Sequence, residues 1–159
     1  MKTEKKRPSD ERRLPETDLR DMPDFFHPAL SRERIAQISN SGLAHVGDAV
    51  YELLARSRLC VGGASNNRDL HAACVAYVSA DAQAEAARTV ANHLTPEESE
   101  IYRRGRNTHI NSVPRNADVA HYHAATGLET LFGWLYLKGE MKRANELFCI
   151  IAGENRNAD

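Results

Sequence analysis

Apolar residues recur at helical spacing through most of the chain, and no stretch alternates with the two-residue period of a strand. From Gly42 to about Leu59 the pattern predicts one long helix, with polar capping residues before it and a glycine pair after it. On one face of this helix, His45, Asp48 and Glu52 follow at steps of three and four residues. Its expected core face carries Leu43, Val46, Val50, Leu53 and Leu54.

Capping residues and helix breakers divide the rest of the chain into further helices. The long segment Gly105–Arg115 between two of them is expected to be a loop, because it contains glycine, asparagine, serine and proline. The fold class predicted from this pattern is all-α, a helical bundle. The expected elements are a helix from near Asn66, an Ala-rich helix over 80–92, a helix from Thr95 to about Arg104, a long helix from Asn116 or Asp118 to Leu137, and a final helix around 144–151.

The first residues differ in character from the rest. Residues 1–24 are charged, with mixed sign and almost no apolar periodicity, and are expected to form a flexible tail. One folded domain is expected over 25–155, followed by a short tail over 156–159. The start of the fold is expected to be anchored by Phe25, Phe26, Leu30, Ile35 and Ile38.

Composition narrows the functional classes only slightly. The chain has 159 residues and a formal net charge of −1, so any nucleic-acid binding must come from a local basic patch. No apolar run is long enough to span a membrane, and no secretory signal is expected. The three cysteines are widely spaced, which favours reduced core thiols in the cytoplasm over a zinc site or disulfides.

Two carboxylates lie in the middle of apolar helical segments. Asp48 follows Gly47, and Glu129 has the small residues Ala125 and Gly133 four positions away on either side. If the two helices pack together, Asp48 and Glu129 can share a hard cation such as Mg²⁺, which often takes only one or two protein carboxylates. The alternative is that both are ordinary polar residues on half-exposed helix faces.

A run from residue 101 to 115 contains four arginines and no acidic residue. Arginine side chains suit phosphate oxygens, so this run is a candidate RNA-binding surface. The alternative is a solvated basic helix end that complements the helix dipole. The arginines are Arg103, Arg104, Arg106 and Arg115, and Tyr102 and His109 accompany them.

His121 and His123, with Asp118, suggest a third candidate, a metal cluster. Residues two positions apart on a helix do not share a face, so ordinary exposed or hydrogen-bonded histidines are the better interpretation.

The two acidic segments have familiar surroundings. The run LAHVGDAVYELLAR from Leu43 resembles the signature of ribonuclease III catalytic domains, and ATGLETLFGWLYL from Ala125 resembles the second acidic motif of that family. More specifically, the chain resembles Mini-ribonuclease III, the bacterial short form without a double-stranded-RNA-binding domain. Three further runs support this: HAACVAYVSADAQAEA from His71, YRRGRN from Tyr102, and VPRNADVAHYHAATGLE from Val113. The likeness covers about residues 28–148.

This resemblance implies an all-helical, homodimeric, Mg²⁺-dependent endoribonuclease that cleaves double-stranded RNA to 5′-phosphate and 3′-hydroxyl ends. It implies that Asp48 and Glu129 are the catalytic metal ligands. It also implies trimming of precursor 23S ribosomal RNA, helped by ribosomal protein L3 on the substrate. The expected RNA-binding residues are Tyr102, Arg103, Arg104, Arg106, Asn107 and Arg115.

The chain departs from the longer ribonuclease III pattern at its acidic positions. Ser41 and Ala44 stand where that pattern has glutamates, and Thr126 stands where it has an aspartate. Fewer carboxylates leave open whether one or two Mg²⁺ ions bind. Two rival functions also remain at this point: a non-catalytic assembly factor that binds ribosomal RNA, and a small-nucleotide phosphohydrolase that uses His121 or His123.

Overall fold

The computed structural model describes residues 22–154, and all regular secondary structure in that range is helical. This confirms the predicted all-α class. No described helix is both long and apolar enough to cross a membrane. The elements are α1 (Arg32–Ala36), α2 (Asn40–Val61), α3 (Asn67–Val78), α4 (Ala80–Val90), a 3₁₀ turn (Ala91–His93), α5 (Pro96–Arg106), α6 (Val119–Lys138) and α7 (Met141–Ile151).

The predicted tails fall largely outside this range. Residues 1–21 and 155–159 are not among the described residues, so the tails predicted over 1–24 and 156–159 stay predictions.

Most helices begin at the capping residues that the sequence indicated. The Ser39 hydroxyl accepts a hydrogen bond from the Gly42 amide at 3.0 Å at the start of α2. At α5, the Glu98 amide donates to the Thr95 hydroxyl at 3.2 Å, and the Thr95 amide donates to the Glu98 carboxylate at 2.8 Å, which completes a capping box. Asp118 caps α6 in the same way as Ser39 caps α2. These bonds satisfy amides that a helix leaves free at its first turn.

Helix α6 is the centre of the bundle, and α2, α4 and α5 pack against it. Most residues from Gly127 to Leu135 are buried, so every face of this part of α6 is covered, as expected for a helix surrounded by other helices. Around it, the Tyr51 ring meets the rings of Phe132 and Phe148 edge-on, with centroids 5.1 and 5.5 Å apart. The fully buried side chains of α6 include Leu128, Thr130, Leu131, Phe132 and Leu135.

Helices α2 and α6 cross at two glycines. A Cβ atom on Gly47 would lie 1.6 Å from the carbonyl oxygen of Glu129, and one on Gly133 would lie 1.9 Å from the carbonyl oxygen of Leu43. No side chain fits in either place, so the two backbones are in direct contact. Because Asp48 follows Gly47, this crossing brings the two carboxylates of the sequence prediction to neighbouring positions.

The predicted loop at 105–115 was wrong at its start. Helix α5 continues to Arg106, and Gly105 is buried within its last turn. A Cβ atom on Gly105 would lie 2.3 Å from the Thr130 hydroxyl oxygen. The glycine therefore allows α5 to approach α6 closely and does not end the helix, so Arg103, Arg104 and Arg106 are helical.

Some residues expected in the core are on the surface. Phe25 and Phe26 are 78% and 79% exposed, and Leu53 is 55% exposed. The backbone at Phe25 makes the local contact, because its carbonyl accepts a hydrogen bond from the Tyr136 hydroxyl while the ring stays outside. Cys60 is exposed in the last turn of α2, so only Cys74 of the three cysteines is fully buried. The other expected anchors are correct: Ile35 is buried, and Leu30 and Ile38 pack against the core.

Candidate active site

Asp48 from α2 and Glu129 from α6 line the same open cleft, which has a volume of about 300 Å³. The Gly47 and Gly133 contact described above sets the separation of the two helices at this point. The segment after α5 closes one side of the cleft. The lining residues are Ser41, Ala44, His45, Asp48, His109, Ile110, Asn111, Tyr122, Thr126 and Glu129.

The environment of Glu129 opposes its negative charge. Burial raises the pKa of this carboxyl, and the nearby charge of Asp48 raises it further, to about 7. The side-chain amide of Gln83 acts in the opposite direction, because it stabilises the ionised form. Within the described residues, neither Asp48 nor Glu129 has a basic partner, so two like charges share the cleft without neutralisation.

The donor atoms of the cleft suit a hard divalent cation. Asp48 and Glu129 supply carboxylates, and Ser41 and Thr126 also line the cleft, with the Thr126 hydroxyl donating to the Tyr122 carbonyl at 3.0 Å. No group of three or more histidine, cysteine, aspartate or glutamate side chains that could hold a metal occurs among the described residues. Two carboxylates fit Mg²⁺, which retains several waters, better than Zn²⁺, which is usually bound by histidine and cysteine side chains. Asp48 and Glu129 are therefore candidates to hold such an ion.

None of the six predicted RNA-binding residues lines the cleft. Arg103 pairs with Glu100 at 2.7 Å on the surface of α5. The ring of Tyr102 is half buried against the backbone at Gly127, so it has a packing role. The other four are exposed in the last turn of α5 or after it: Arg104, Arg106, Asn107 and Arg115.

Several cleft residues were not predicted as part of the site. The spacing of His45, three residues before Asp48, predicts only a shared helix face. His109 belongs to the arginine run, and the path that brings it and Asn111 to the carboxylates cannot be predicted from spacing. Ser41 and Thr126 depart from the longer ribonuclease III pattern, and both line the cleft.

The histidine cluster is not a metal site in this structure. His121 Nδ1 lies 2.7 Å from a carboxylate oxygen of Asp81 on α4. His123 Nδ1 lies 2.9 Å from the carbonyl oxygen of Arg106. Both side chains tie α6 to neighbouring segments, and neither lines the cleft. The phosphohydrolase alternative thus loses the residues on which it depended.

Comparison with known proteins agrees with this geometry. The family model described as Ribonuclease III domain matches residues 41–140, a span that contains both carboxylates and all of α6. This chain belongs to the ribonuclease III family. The chain is accordingly an endoribonuclease, and the cleft between α2 and α6 lies inside the matched domain.

Relatives within the family align over most of their own length. A protein named Mini-ribonuclease 3 from Thermoanaerobacter is 40% identical over 118 residues, which cover 74% of this chain and 83% of that protein. A protein of the same name from Symbiobacterium thermophilum is 43% identical and covers 66% and 81%. A crystal structure of a protein from Fusobacterium nucleatum, 29% identical, superposes with a TM-score of 0.68 over 75% of this chain and 97% of that one. The resemblance to the short form is therefore confirmed.

Proposed function

We propose that this ribonuclease III family member is a Mg²⁺-dependent endonuclease of double-stranded RNA, with Asp48 and Glu129 as its metal ligands. The observation that carries the proposal is the meeting of these two carboxylates in one cleft without a basic partner among the described residues. Such a pair is unfavourable in the absence of a cation, because burial and mutual repulsion both oppose ionisation. A divalent cation offsets both effects.

The chemistry follows from the donor set. When bound, Mg²⁺ supplies a positive charge that acidifies water and polarises a phosphodiester. Asp48 and Glu129 would hold the ion in the cleft, and Ser41 and Thr126, which line the same cleft, would orient water there. Water attacks the phosphorus in line, the bond to the 3′ oxygen breaks, and the products carry a 5′-phosphate and a 3′-hydroxyl.

The end of α5 and the segment after it are proposed as the RNA-binding surface. Arg104, Arg106 and Arg115 are exposed and next to the segment that lines the cleft. Among the described residues, Arg103 pairs with one exposed glutamate, and such surface pairs contribute little energy, so this arginine can exchange its partner for a phosphate. A-form RNA is recognised mainly through its shape, its phosphates and its 2′-hydroxyls, which suits a row of arginines.

We also propose that the active form is a homodimer, with one cleft for each RNA strand. The described surface carries unusually exposed apolar side chains that a second copy can cover, and large exposed apolar groups often mark interaction sites. They are Met22, Phe25, Phe26, Leu53, Val61, Val75 and Val119.

The proposed substrate is precursor 23S ribosomal RNA in the cytoplasm, with ribosomal protein L3 as a helper on the substrate. The resemblance to the bacterial short form supports this substrate. The three cysteines, which are free thiols, fit a reducing compartment.

One cleavage experiment tests the central proposal. Long duplex RNA is incubated with the full chain in Mg²⁺ or in EDTA, beside Asp48→Asn and the control Glu52→Gln. Glu52 lies one turn further along α2 and pairs with Arg56 outside the cleft. We expect cutting by wild type and Glu52→Gln only with Mg²⁺, and none by Asp48→Asn. Cleavage by Asp48→Asn at the wild-type rate would overturn the assignment, and binding without cutting by wild type would favour the assembly-factor alternative.

A further inference from the structure

Three polar side chains are buried in the described core: Gln83, Glu98 and Thr130. Glu98 is bonded to Arg143 and Thr95, and the Thr130 hydroxyl donates to the carbonyl of Thr126 at 2.7 Å. Gln83 differs from both. It is 1% exposed, and its Nε2 atom makes no hydrogen bond of ordinary geometry within the described residues. A buried amide without a partner is unfavourable, so Gln83 needs a physical explanation.

The position of Gln83 supplies one. It lies on α4, which packs against α6, and the buried residues near it on α4 are alanines. The side-chain amide of Gln83 lowers the pKa of Glu129, so the two groups are close, although Nε2 does not form an ordinary hydrogen bond with the carboxylate. Gln83 does not line the cleft, so it approaches Glu129 from the α4 side while Asp48 lies on the α2 side. A neutral donor with no other partner among the described residues therefore lies near Glu129 on the α4 side.

We propose that Gln83 is a positioning residue for Glu129: its amide donates to the carboxylate from the α4 side and holds that side chain in the orientation that presents an oxygen to the cleft. This inference rests on the proposed role of Glu129 as a metal ligand. A hydrocarbon side chain of similar size would fill the same space without an unpaired donor, so filling the core does not explain the glutamine.

A hydrogen bond from Gln83 would be useful because the glutamate side chain is flexible. The last torsion of a glutamate side chain is broad, so a free carboxylate samples many orientations. A hydrogen bond from a buried and rigid neighbour removes most of that freedom before the ligand binds. Hydrogen-bond partners behind metal ligands typically change metal affinity by about 10- to 100-fold when they are removed. An N–H donor that carries no charge also leaves the negative charge of Glu129 available to a cation.

The test compares Gln83→Met with wild type in the full chain. Methionine has a similar length and no donor. Ala87→Gly is the matched control, because it loosens a buried position on the same helix without touching the Gln83 amide. Mn²⁺ serves as the probe, with free ion measured by electron paramagnetic resonance. We expect the Kd for Mn²⁺ to rise about 10-fold in Gln83→Met and to stay at the wild-type value in Ala87→Gly. With duplex RNA, Gln83→Met should lower kcat and leave KM unchanged.

A second measurement reads the contact without any metal. The side-chain amide resonances of Gln83, observed by NMR, should shift in Glu129→Gln, because the acceptor loses its charge. They should stay in place in Glu52→Gln. Unmoved resonances in Glu129→Gln would overturn the contact, and with it the proposal, whether or not Gln83→Met folds well.

The outcomes separate this inference from the proposed function. Wild type that binds no Mn²⁺, or Asp48→Asn that binds it as well as wild type, contradicts the metal site itself and removes both proposals. Mn²⁺ binding that Asp48→Asn abolishes and Gln83→Met leaves unchanged contradicts only the role of Gln83. Weakened binding in Gln83→Met together with shifted amide resonances supports it.

Discussion

The raised pKa of Glu129 predicts how the stability of the metal-free protein depends on pH. This carboxyl has an ordinary pKa of 4.5 and a folded-state pKa of about 7. Between these values the folded state keeps a proton that the unfolded state has released, so the free energy of unfolding falls as pH rises through this window. The difference corresponds to about 3 kcal/mol at 1.36 kcal/mol for each unit, and the partial exposure of Glu129 makes this an upper bound. Glu129→Gln removes the titrating group and should remove this loss.

The assay is urea denaturation in EDTA at several pH values between 5 and 8.5. Relative to Glu129→Gln, wild type should lose up to about 2.5 kcal/mol as the pH rises across this range, and most of the loss should occur below pH 7.5. Asp48→Asn should show a smaller loss than wild type, because Asp48 is the second cause of the raised pKa, after burial. Glu52→Gln, the control on α2, should follow wild type. Parallel curves for wild type and Glu129→Gln across this range would refute the electrostatic description of the cleft.

Three further perturbations test the fold and the RNA surface. Gly47→Ala places a Cβ atom 1.6 Å from a carbonyl oxygen of α6, so it should destabilise the protein by several kcal/mol in urea denaturation; a loss under about 1 kcal/mol would contradict the contact. Arg143→Met leaves the buried carboxylate of Glu98 without its two-point partner and should cost about 3–5 kcal/mol, measured the same way; unchanged stability would show that the pair is dispensable. Arg106→Ala should raise the KM for duplex RNA and reduce the slope of log affinity against log salt by about one, whereas Arg56→Ala should do neither; equal slopes for both variants would remove Arg106 from the RNA surface.

The sequence by itself determined the local structure well. Helix starts depend on short-range hydrogen bonds between a capping side chain and the amides that follow it, so Ser39, Thr95 and Asp118 could be identified from neighbouring residues alone. The helical spacing of the apolar residues is also a local property of the sequence, and it was sufficient to predict the all-α fold class. Asp48 and Glu129 were found as candidates because each interrupts an apolar segment at an unfavourable place, and family motifs then joined them into one predicted site.

Only the tertiary structure decided which residues meet across the chain. Gly105 looked like a loop residue because glycine often breaks helices, but its role is set by Thr130 on a helix that begins thirteen residues after α5 ends. Phe25, Phe26 and Leu53 are exposed because no other element in the described part of the chain covers them. Apolar periodicity identifies one face of a helix, but it does not show which element packs against that face. The proposed contact between Gln83 and Glu129 likewise depends on the packing of α4 on α6, which joins residues far apart in the sequence. Such contacts are long-range, and no local pattern of residues encodes them.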